Sequence, residues 1–161
     1  MTQIDTYFRA EKAESLLFLL IGAGAVVLAV FAWMKWNEPF TKGFAVPLLL
    51  IGLIQATVGA TVLLRTGKQV ADLSAQVQQD AKGYRAAELP RMEKVMKSFT
   101  VIKWTEIIFI VAGIGLLVLL KDKGFWTGVG LGFMLQGAIS LTLDIFAEKR
   151  GLEYMEALAL A

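Results

Sequence analysis

Four long apolar stretches dominate the pattern of hydrophobic and polar positions along this chain of 161 residues. The uncharged runs cover residues 15–34, 43–64, 107–120 and 124–143. A helix of about 20 apolar residues crosses a hydrocarbon core of about 30 Å, and the shorter run reaches that length when Lys103 and Glu106 are included. The pattern predicts an all-α integral membrane protein, a four-transmembrane-helix bundle with spans at about 15–36, 43–65, 101–120 and 124–146.

The polar stretches on one side of the predicted membrane carry helical patterns of their own. Residues 67–99 form a helical segment between the second and third spans, and residues 147–161 form an amphipathic C-terminal tail. We expect a helix from about Lys68 to Lys82, interrupted by Gly83 and Pro90. Apolar residues recur at helical spacing in both stretches: Val70, Leu73, Val77, Met92, Val95, Met96, Phe99, Leu152, Met155 and Leu158.

These apolar stripes have two interpretations. They pack on one another or on lipid headgroups, or they form a docking surface for a partner. In either case the 161 residues make a single membrane domain.

Lysine and arginine are distributed unequally between the two sides of the predicted bundle. Twelve flank the spans on the side of both termini and of segment 67–99, and four lie on the side of the two short loops. Positively charged flanks stay in the cytoplasm during membrane insertion. We therefore expect a multi-pass protein of the bacterial plasma (inner) membrane whose N- and C-termini are cytoplasmic.

The two halves of the chain resemble each other. A shift of 91 residues places ESLLFLLIGAG (14–24) on TEIIFIVAGIG (105–115), and a shift of 81 residues places Gln55 on Gln136 and Thr61 on Thr142. The shared glycines and glutamines are better evidence than Leu or Ile matches, because any two membrane spans share aliphatic residues. We predict two tandem two-helix hairpin repeats, which are parallel because each returns to its own side.

Small residues recur in every predicted span. Glycine and alanine allow two helix backbones to approach closely, and such packing is a main source of attraction between helices in lipid. The glycines expected at helix contacts are Gly22, Gly24, Gly52, Gly59, Gly113, Gly115, Gly128 and Gly132.

Polar side chains within the spans are candidate functional residues. Gln55 and Gln136 lie near the bilayer midplane, and Ser140 follows Gln136 by one turn on the same helix face. The glutamines bind across the bundle, to each other or to hydroxyl groups such as those of Ser140, Thr61 and Thr142. Alternatively, they line a polar cavity for an ion, water or a small solute, or they face outward at an oligomer contact.

Glu106 and Asp144 are the carboxyl groups within the predicted spans. An ionisable group inside a span is a functional candidate by default, yet both lie about one turn inside the cytoplasmic boundary, where side chains reach water easily. Lys103 is one helical turn from Glu106 and permits a local ion pair, and Lys149 or Arg150 can approach Asp144. The two roles considered are anchoring with packing, and proton or cation handling.

The composition argues against catalysis. The chain contains neither histidine nor cysteine, so the commonest general base and the thiolate nucleophile are both missing. It has no phosphate-binding glycine loop and no Glu-x-x-His metal motif. Basic residues of segment 67–99 alternate with acids, a pattern that suits contact with anionic lipid better than nucleic-acid binding. We expect no enzymatic activity, no cofactor and no metal.

Two functions from different classes fit these observations. In the first, the protein binds another protein through its helix faces or cytoplasmic helices, as an accessory subunit or an immunity-type protein against a membrane-acting toxin. In the second, it is a transporter or channel for a small solute or ion, working as an oligomer with a polar path at Gln55, Gln136, Glu106 and Asp144. A membrane enzyme acting on lipid is a weaker third. The expected partners are the lipid bilayer and a protein partner or a second copy of the chain.

Overall fold

The computed structural model describes residues 3–160, with side chains from Thr6 onwards, as four helices joined by short turns. They are α1 (Gln3–Lys35), α2 (Pro39–Gln79), α3 (Ala81–Leu119) and α4 (Gly124–Leu160). Each helix contains a segment long and apolar enough to cross a membrane. The chain is therefore an all-helical, multi-pass membrane protein, as the hydrophobic pattern predicted. Ala161, the last residue of the predicted tail, lies outside the described residues.

Helices α2 and α4 form the centre of the bundle. They pack against each other, while α1 packs mainly on α2 and α3 packs mainly on α4. Over residues 3–160, α1 and α3 do not pack directly on each other. The two outer helices therefore stand on either side of a gap whose floor is α2 and α4.

The helices are much longer than membrane spans. At 1.5 Å per residue, the 41 residues of α2 and the 39 residues of α3 measure about 60 Å, roughly twice the hydrocarbon thickness. All of the excess length lies at the end that carries both termini and the turn between α2 and α3, which we call the charged end. Segment 67–99 is thus a direct continuation of two spans, because its apolar stripe gives the helices something to pack against outside the bilayer.

The turn between α2 and α3 is made at Asp80. Its side chain accepts a hydrogen bond of 2.9 Å from the Gly83 backbone nitrogen and caps the first turn of α3. A Cβ at Gly83 would lie 2.3 Å from Asp80 Oδ2, so the absent side chain leaves room for this cap. The predicted interruption at Gly83 and Pro90 was wrong, because both residues lie inside α3. The N–H that Pro90 lacks would have bound the Ala86 carbonyl, and Ala86 is exposed to water.

Glycines set the distances between neighbouring helices. A Cβ on Gly22 would lie 2.4 Å from the Ala56 nitrogen of α2, and one on Gly113 would lie 2.6 Å from the Gly130 oxygen of α4. Such positions admit no larger residue without a shift of the backbone. Similar approaches occur at Gly52, Gly59, Gly128 and Gly132 and, beyond the predicted set, at Gly43, Gly130 and Gly137.

Two of the predicted contact glycines face away from the bundle. Within the described part of the chain, a Cβ on Gly24 or on Gly115 would have no neighbour within 4 Å. Each lies two residues after a glycine that is in contact, and two residues rotate a helical position by about 200°. The expectation for these two glycines was wrong, because a GxG pair cannot place both glycines on one helix face.

The helix contacts in the two halves correspond to a different alignment from the shift of 81 residues that places Gln55 on Gln136. Gly59 of α2 lies against Ser15 of α1, and Gly137 of α4 lies against Glu106 of α3. Ser15 and Glu106 are related by the predicted shift of 91 residues, but Gly59 and Gly137 differ by three residues from the shift of 81. By these contacts, the two glutamines do not occupy equivalent positions.

Candidate functional site

A cleft of about 560 Å³ lies between α1 and α3, with α2 and α4 as its floor. It runs from Glu11 and Arg65 at the charged end to Gln55 and Glu106 inside the predicted spans. The volume is in the range of about 300–1,000 Å³ that small-molecule sites occupy. Much of the wall is apolar and includes Phe18, Ile51, Ile54, Val58, Val62, Ile102 and Phe109.

Glu106 of α3 and Asp144 of α4 meet at the inner part of this cleft. They are 5% and 7% exposed, and their carboxyl groups are in hydrogen-bonding contact. An ionised carboxylate only accepts hydrogen bonds, so a proton or a cation held between the two groups would stabilise this contact. Among residues 6–160, no donor binds Glu106 Oε2. The sequence placed both residues near the membrane boundary, and the structure adds that they form a pair.

Gln55 of α2 lies beside this carboxyl pair in the cleft. Its Nε2 donates a hydrogen bond of 2.8 Å to Ser140 Oγ of α4, so the amide does bind across the bundle. The side chain is 3% exposed, and its Oε1 accepts no hydrogen bond from the described residues. Gln136 is equally buried but lies outside the cleft wall. The partner of the Gln55 amide nitrogen is therefore Ser140 rather than Gln136.

Thr61 and Thr142 are not part of the site. Both are exposed, and their hydroxyl groups donate to their own helices, to the Thr57 oxygen at 2.7 Å and the Ala138 oxygen at 2.8 Å. A threonine hydroxyl in a lipid-facing position is satisfied by the carbonyl one turn earlier. The expectation that these two residues bind the glutamines was wrong, because their side chains point away from the bundle.

The basic residues near the carboxyl pair bind other acids. Lys103 forms an ion pair with Glu148 of α4, and Arg150 forms one with Glu14 of α1. The predicted pairing of Lys103 with its helical neighbour, and of Arg150 with the acid of its own helix, was wrong. Glu106 and Asp144 are buried in the bundle, whereas Lys103 and Arg150 extend to acids on other helices at the charged end.

Two ion pairs lie at the charged end of the cleft, one of them the Glu14–Arg150 pair. In the other, Arg65 Nη2 lies 4.0 Å from Glu11 Oε1, and Thr66 donates a hydrogen bond of 3.1 Å to Glu11 Oε2. Burial raises the pKa of Glu11 above its ordinary value, and the hydrogen bond from Thr66 and the charge of Arg65 oppose this effect.

Beyond the cleft, the extended helix ends form a second core outside the predicted spans. We call it the tyrosine core; its buried residues are Phe8, Tyr84, Met92, Tyr154 and Leu158. The Tyr7 ring stacks on Tyr154 with centroids 4.3 Å apart, and the Tyr84 and Tyr154 hydroxyl groups are hydrogen-bonded to each other. Burial raises the pKa of all three tyrosines above the ordinary value of 10.0.

A buried carboxylate supports the tyrosine core. Glu88 is 2% exposed and accepts hydrogen bonds of 2.7 Å from Arg91 Nε and Nη2, as well as one of 3.3 Å from the Tyr154 hydroxyl. Sequence reasoning missed this network. The available signals were the three-residue spacing of Glu88 and Arg91 and the position of all three tyrosines near the charged end.

The apolar stripes of the charged end pack within the chain. Val70, Leu73 and Val77 of α2, Met96 of α3 and Met155 of α4 lie against the tyrosine core. Of the two interpretations left open by the sequence, internal packing accounts for these residues. Of the other predicted stripe residues, Val95 and Phe99 line the cleft and Leu152 is exposed.

Fold and cleft together define a class: a multi-pass helical membrane protein with a cleft between its outer helices that contains a buried carboxyl pair. Compared with protein-family models, curated proteins and solved structures, the chain matches none of them. Its function must therefore be inferred from its own residues.

Proposed function

We propose that the protein binds a small solute or ion inside its bundle and moves it across the membrane as an oligomer. The observation that carries this proposal is a cleft of about 560 Å³ that contains the Glu106–Asp144 pair. Ionisable groups inside membrane spans are costly, and they are found where ions, protons or polar solutes are handled. The proposal assigns no catalytic step to the protein.

The burial of the pair supports this role over anchoring. An anchoring carboxylate extends to the headgroups and stays solvated. Glu106 and Asp144 are both less than one tenth exposed and turn toward each other rather than toward water. Apolar residues of similar volume would stabilise the bundle at least as well as a buried polar pair, so packing alone does not explain these two acids.

At the opposite end of the bundle, α2 and α4 are in direct backbone contact. A Cβ on Gly43 would lie 1.9 Å from the Phe125 oxygen, and one on Gly128 would lie 2.0 Å from the Phe40 oxygen. At that end α2 and α4 therefore leave no path between them. Transport therefore requires a second conformation or a path between copies, which is why the proposal includes an oligomer.

We propose that the charged end faces the cytoplasm of a bacterial cell and that the membrane is the plasma (inner) membrane. The twelve-to-four distribution of basic residues supports this orientation. Because the chain has no cysteine, Lys94→Cys and Lys121→Cys each give a single label site. An impermeant maleimide should label only the second in intact cells, and the reverse result would invert the orientation.

We also propose that the bundle arose by duplication of a two-helix hairpin. The supporting observation is that α1 approaches α2 at Gly22 and Gly52 as α3 approaches α4 at Gly113 and Gly130. The contacts of α2 and α4 differ by three residues from the sequence shift of 81. On this proposal, one of these two helices has since slid along its partner by almost one turn.

A second candidate is the protein-binding role predicted from the sequence, and the exposure of α3 favours it. Only 11% of the membrane-spanning window of α3 is buried in the bundle, against 39% for α4. This outer face is available to a partner protein or to another copy of the chain. Purification of a stoichiometric complex from membranes, with no solute flux in vesicles, would favour this role over transport.

Substitution of the carboxyl pair tests the transport proposal. Glu106→Gln and Asp144→Asn keep the side-chain shape but remove the acid, so we expect each to lower flux at least tenfold. Flux of protons, Na⁺ and K⁺ into proteoliposomes is measured under an imposed gradient. Glu153→Gln, at an exposed position of α4, is the matched control and should leave flux unchanged. Equal flux in all four proteins would contradict the proposal.

A further inference from the structure

We infer that the solute of the cleft is an amphipathic organic ammonium ion, a protonated primary or secondary amine that carries an apolar body. This inference rests on the proposed function and names its solute class. Three independent properties of the cleft lead to it: its free hydrogen-bond acceptors, its charge and its apolar wall.

The inner end of the cleft offers acceptors that the described chain leaves unused. Neither Gln55 Oε1 nor Glu106 Oε2 has a hydrogen-bond donor among the described residues. Both side chains are more than nine-tenths buried and line the cleft. A buried acceptor without a partner is unfavourable, so a ligand that donates a hydrogen bond to it binds more tightly. An N–H group supplies such donors.

The charge of the cleft favours a cation. Four carboxyl groups face it, those of Glu11, Glu14, Glu106 and Asp144, against the two guanidinium groups of Arg65 and Arg150. Both guanidinium groups are paired with acids at the charged end. One shared proton at the inner pair still leaves excess negative charge, which attracts a monovalent cation and disfavours an anion.

The wall of the cleft favours a ligand with an apolar body over a bare metal ion. Metal cations such as Ca²⁺ take six to eight oxygen ligands, and Mg²⁺ keeps several waters. The cleft instead places Gln55 and Glu106 at the inner end of an apolar passage that Val62, Phe99 and Ile102 line toward the charged end. An alkyl or aryl group fills this passage, while the ammonium group reaches the acceptors.

A set of octyl compounds tests the inference on the unaltered protein. Binding of octylammonium, octyltrimethylammonium and octanol to the protein in lipid nanodiscs is measured by calorimetry, with empty nanodiscs as the blank. We expect octylammonium to bind at least about tenfold more tightly than octyltrimethylammonium, which has no N–H donor, and more tightly still than uncharged octanol. Equal binding of octanol and octylammonium would overturn the inference.

Two variants locate the binding. Gln55→Met keeps the length of the side chain but removes the free acceptor, and we expect about tenfold weaker octylammonium binding; Glu106→Gln should weaken it by about 10- to 100-fold. Thr57→Val, at an exposed position of α2, is the control and should bind as the unaltered protein does. Unchanged binding in both test variants would place the amine elsewhere and overturn the inference.

Failure of the inference is distinguishable from failure of the proposed function. If no octyl compound binds but Glu106→Gln still lowers the flux of protons or Na⁺, the ammonium assignment is wrong and transport stands. If the variants change neither flux nor binding, both are wrong.

Discussion

Gly22 and Gly24 are two residues apart in α1, but only Gly22 contacts another helix. The two positions therefore test helix packing at single residues. Gly22→Ala places a Cβ 2.4 Å from the Ala56 nitrogen, whereas Gly24→Ala places one in open space. Overpacking costs about 1–3 kcal/mol, while alanine is a better helix former than glycine. We expect Gly22→Ala to lower the thermal unfolding temperature in detergent and Gly24→Ala to leave it unchanged or raise it.

Helix α3 provides the matched repeat of that experiment. Gly113→Ala should behave as the destabilising variant and Gly115→Ala as the neutral one, because a Cβ would meet the Gly130 oxygen at 2.6 Å in the first case and nothing in the second. Equal effects of the two substitutions in either helix would contradict the contacts of α1 and α3.

At the scale of single residues, the sequence predicted the kind of group in the site but not the pairs. Gln55, Ser140, Glu106 and Asp144 all stood out as polar positions within apolar spans, and all four line the cleft. Their partners depend on the rotation of each helix about its axis. The spans are apolar on nearly every face, so no amphipathic stripe reveals that rotation, and the pairing of Lys103 could not be found.

At the scale of the helix, Asp80 decides where α2 ends and α3 begins. Asp80→Ala removes the acceptor for the Gly83 nitrogen, and loss of such a cap costs about 1 kcal/mol. We expect a lower unfolding temperature and faster amide exchange in the first turn of α3. Asp72→Ala, an exposed acid in the interior of α2, is the control and should change neither. An equal unfolding temperature and equal amide exchange in both variants would argue against the cap.

The sequence predicted the membrane-crossing parts of the helices more accurately than the parts outside. Hydrophobic length defines a span in lipid, and the four spans were visible for that reason. Outside the bilayer, glycine and proline at positions 83 and 90 predicted an interruption of the helix, yet α3 continues through both. The helix continues because Met92 and Tyr84 are buried in the tyrosine core, a tertiary contact that no local rule contains.

At the scale of the whole molecule, the tyrosine core gives stability a pH dependence. Burial raises the pKa of Tyr7, Tyr84 and Tyr154, whereas in the unfolded chain they ionise near 10.0. The folded state therefore keeps protons that the unfolded state releases. Their contribution to stability is complete below about pH 10 and is lost above it, by at most about 1.4 kcal/mol per pH unit for each tyrosine.

Near-ultraviolet absorbance of tyrosinate measures this effect directly, because the chain has three tyrosines and all belong to this region. We expect less tyrosinate at pH 10 in the folded protein than in the unfolded chain, and a signal that rises with unfolding at higher pH. Tyr84→Phe should make the unfolding temperature fall less steeply above pH 10, and Glu153→Gln should not. Ionisation of all three tyrosines near pH 10 without unfolding would contradict the burial.

The continuity of α3 has a mechanical consequence. Glu106 in the cleft and Tyr84 in the tyrosine core lie on one uninterrupted helix, about 33 Å apart along its axis at 1.5 Å per residue. If α3 moves as a rigid body, a tilt of about 10° around Glu106 displaces Tyr84 by about 6 Å. This displacement is larger than a hydrogen bond can tolerate. Opening the cleft by moving α3 would break the contact between Tyr84 and Tyr154. A spectroscopic probe at that water-facing end would then report whether the membrane-embedded cleft is open.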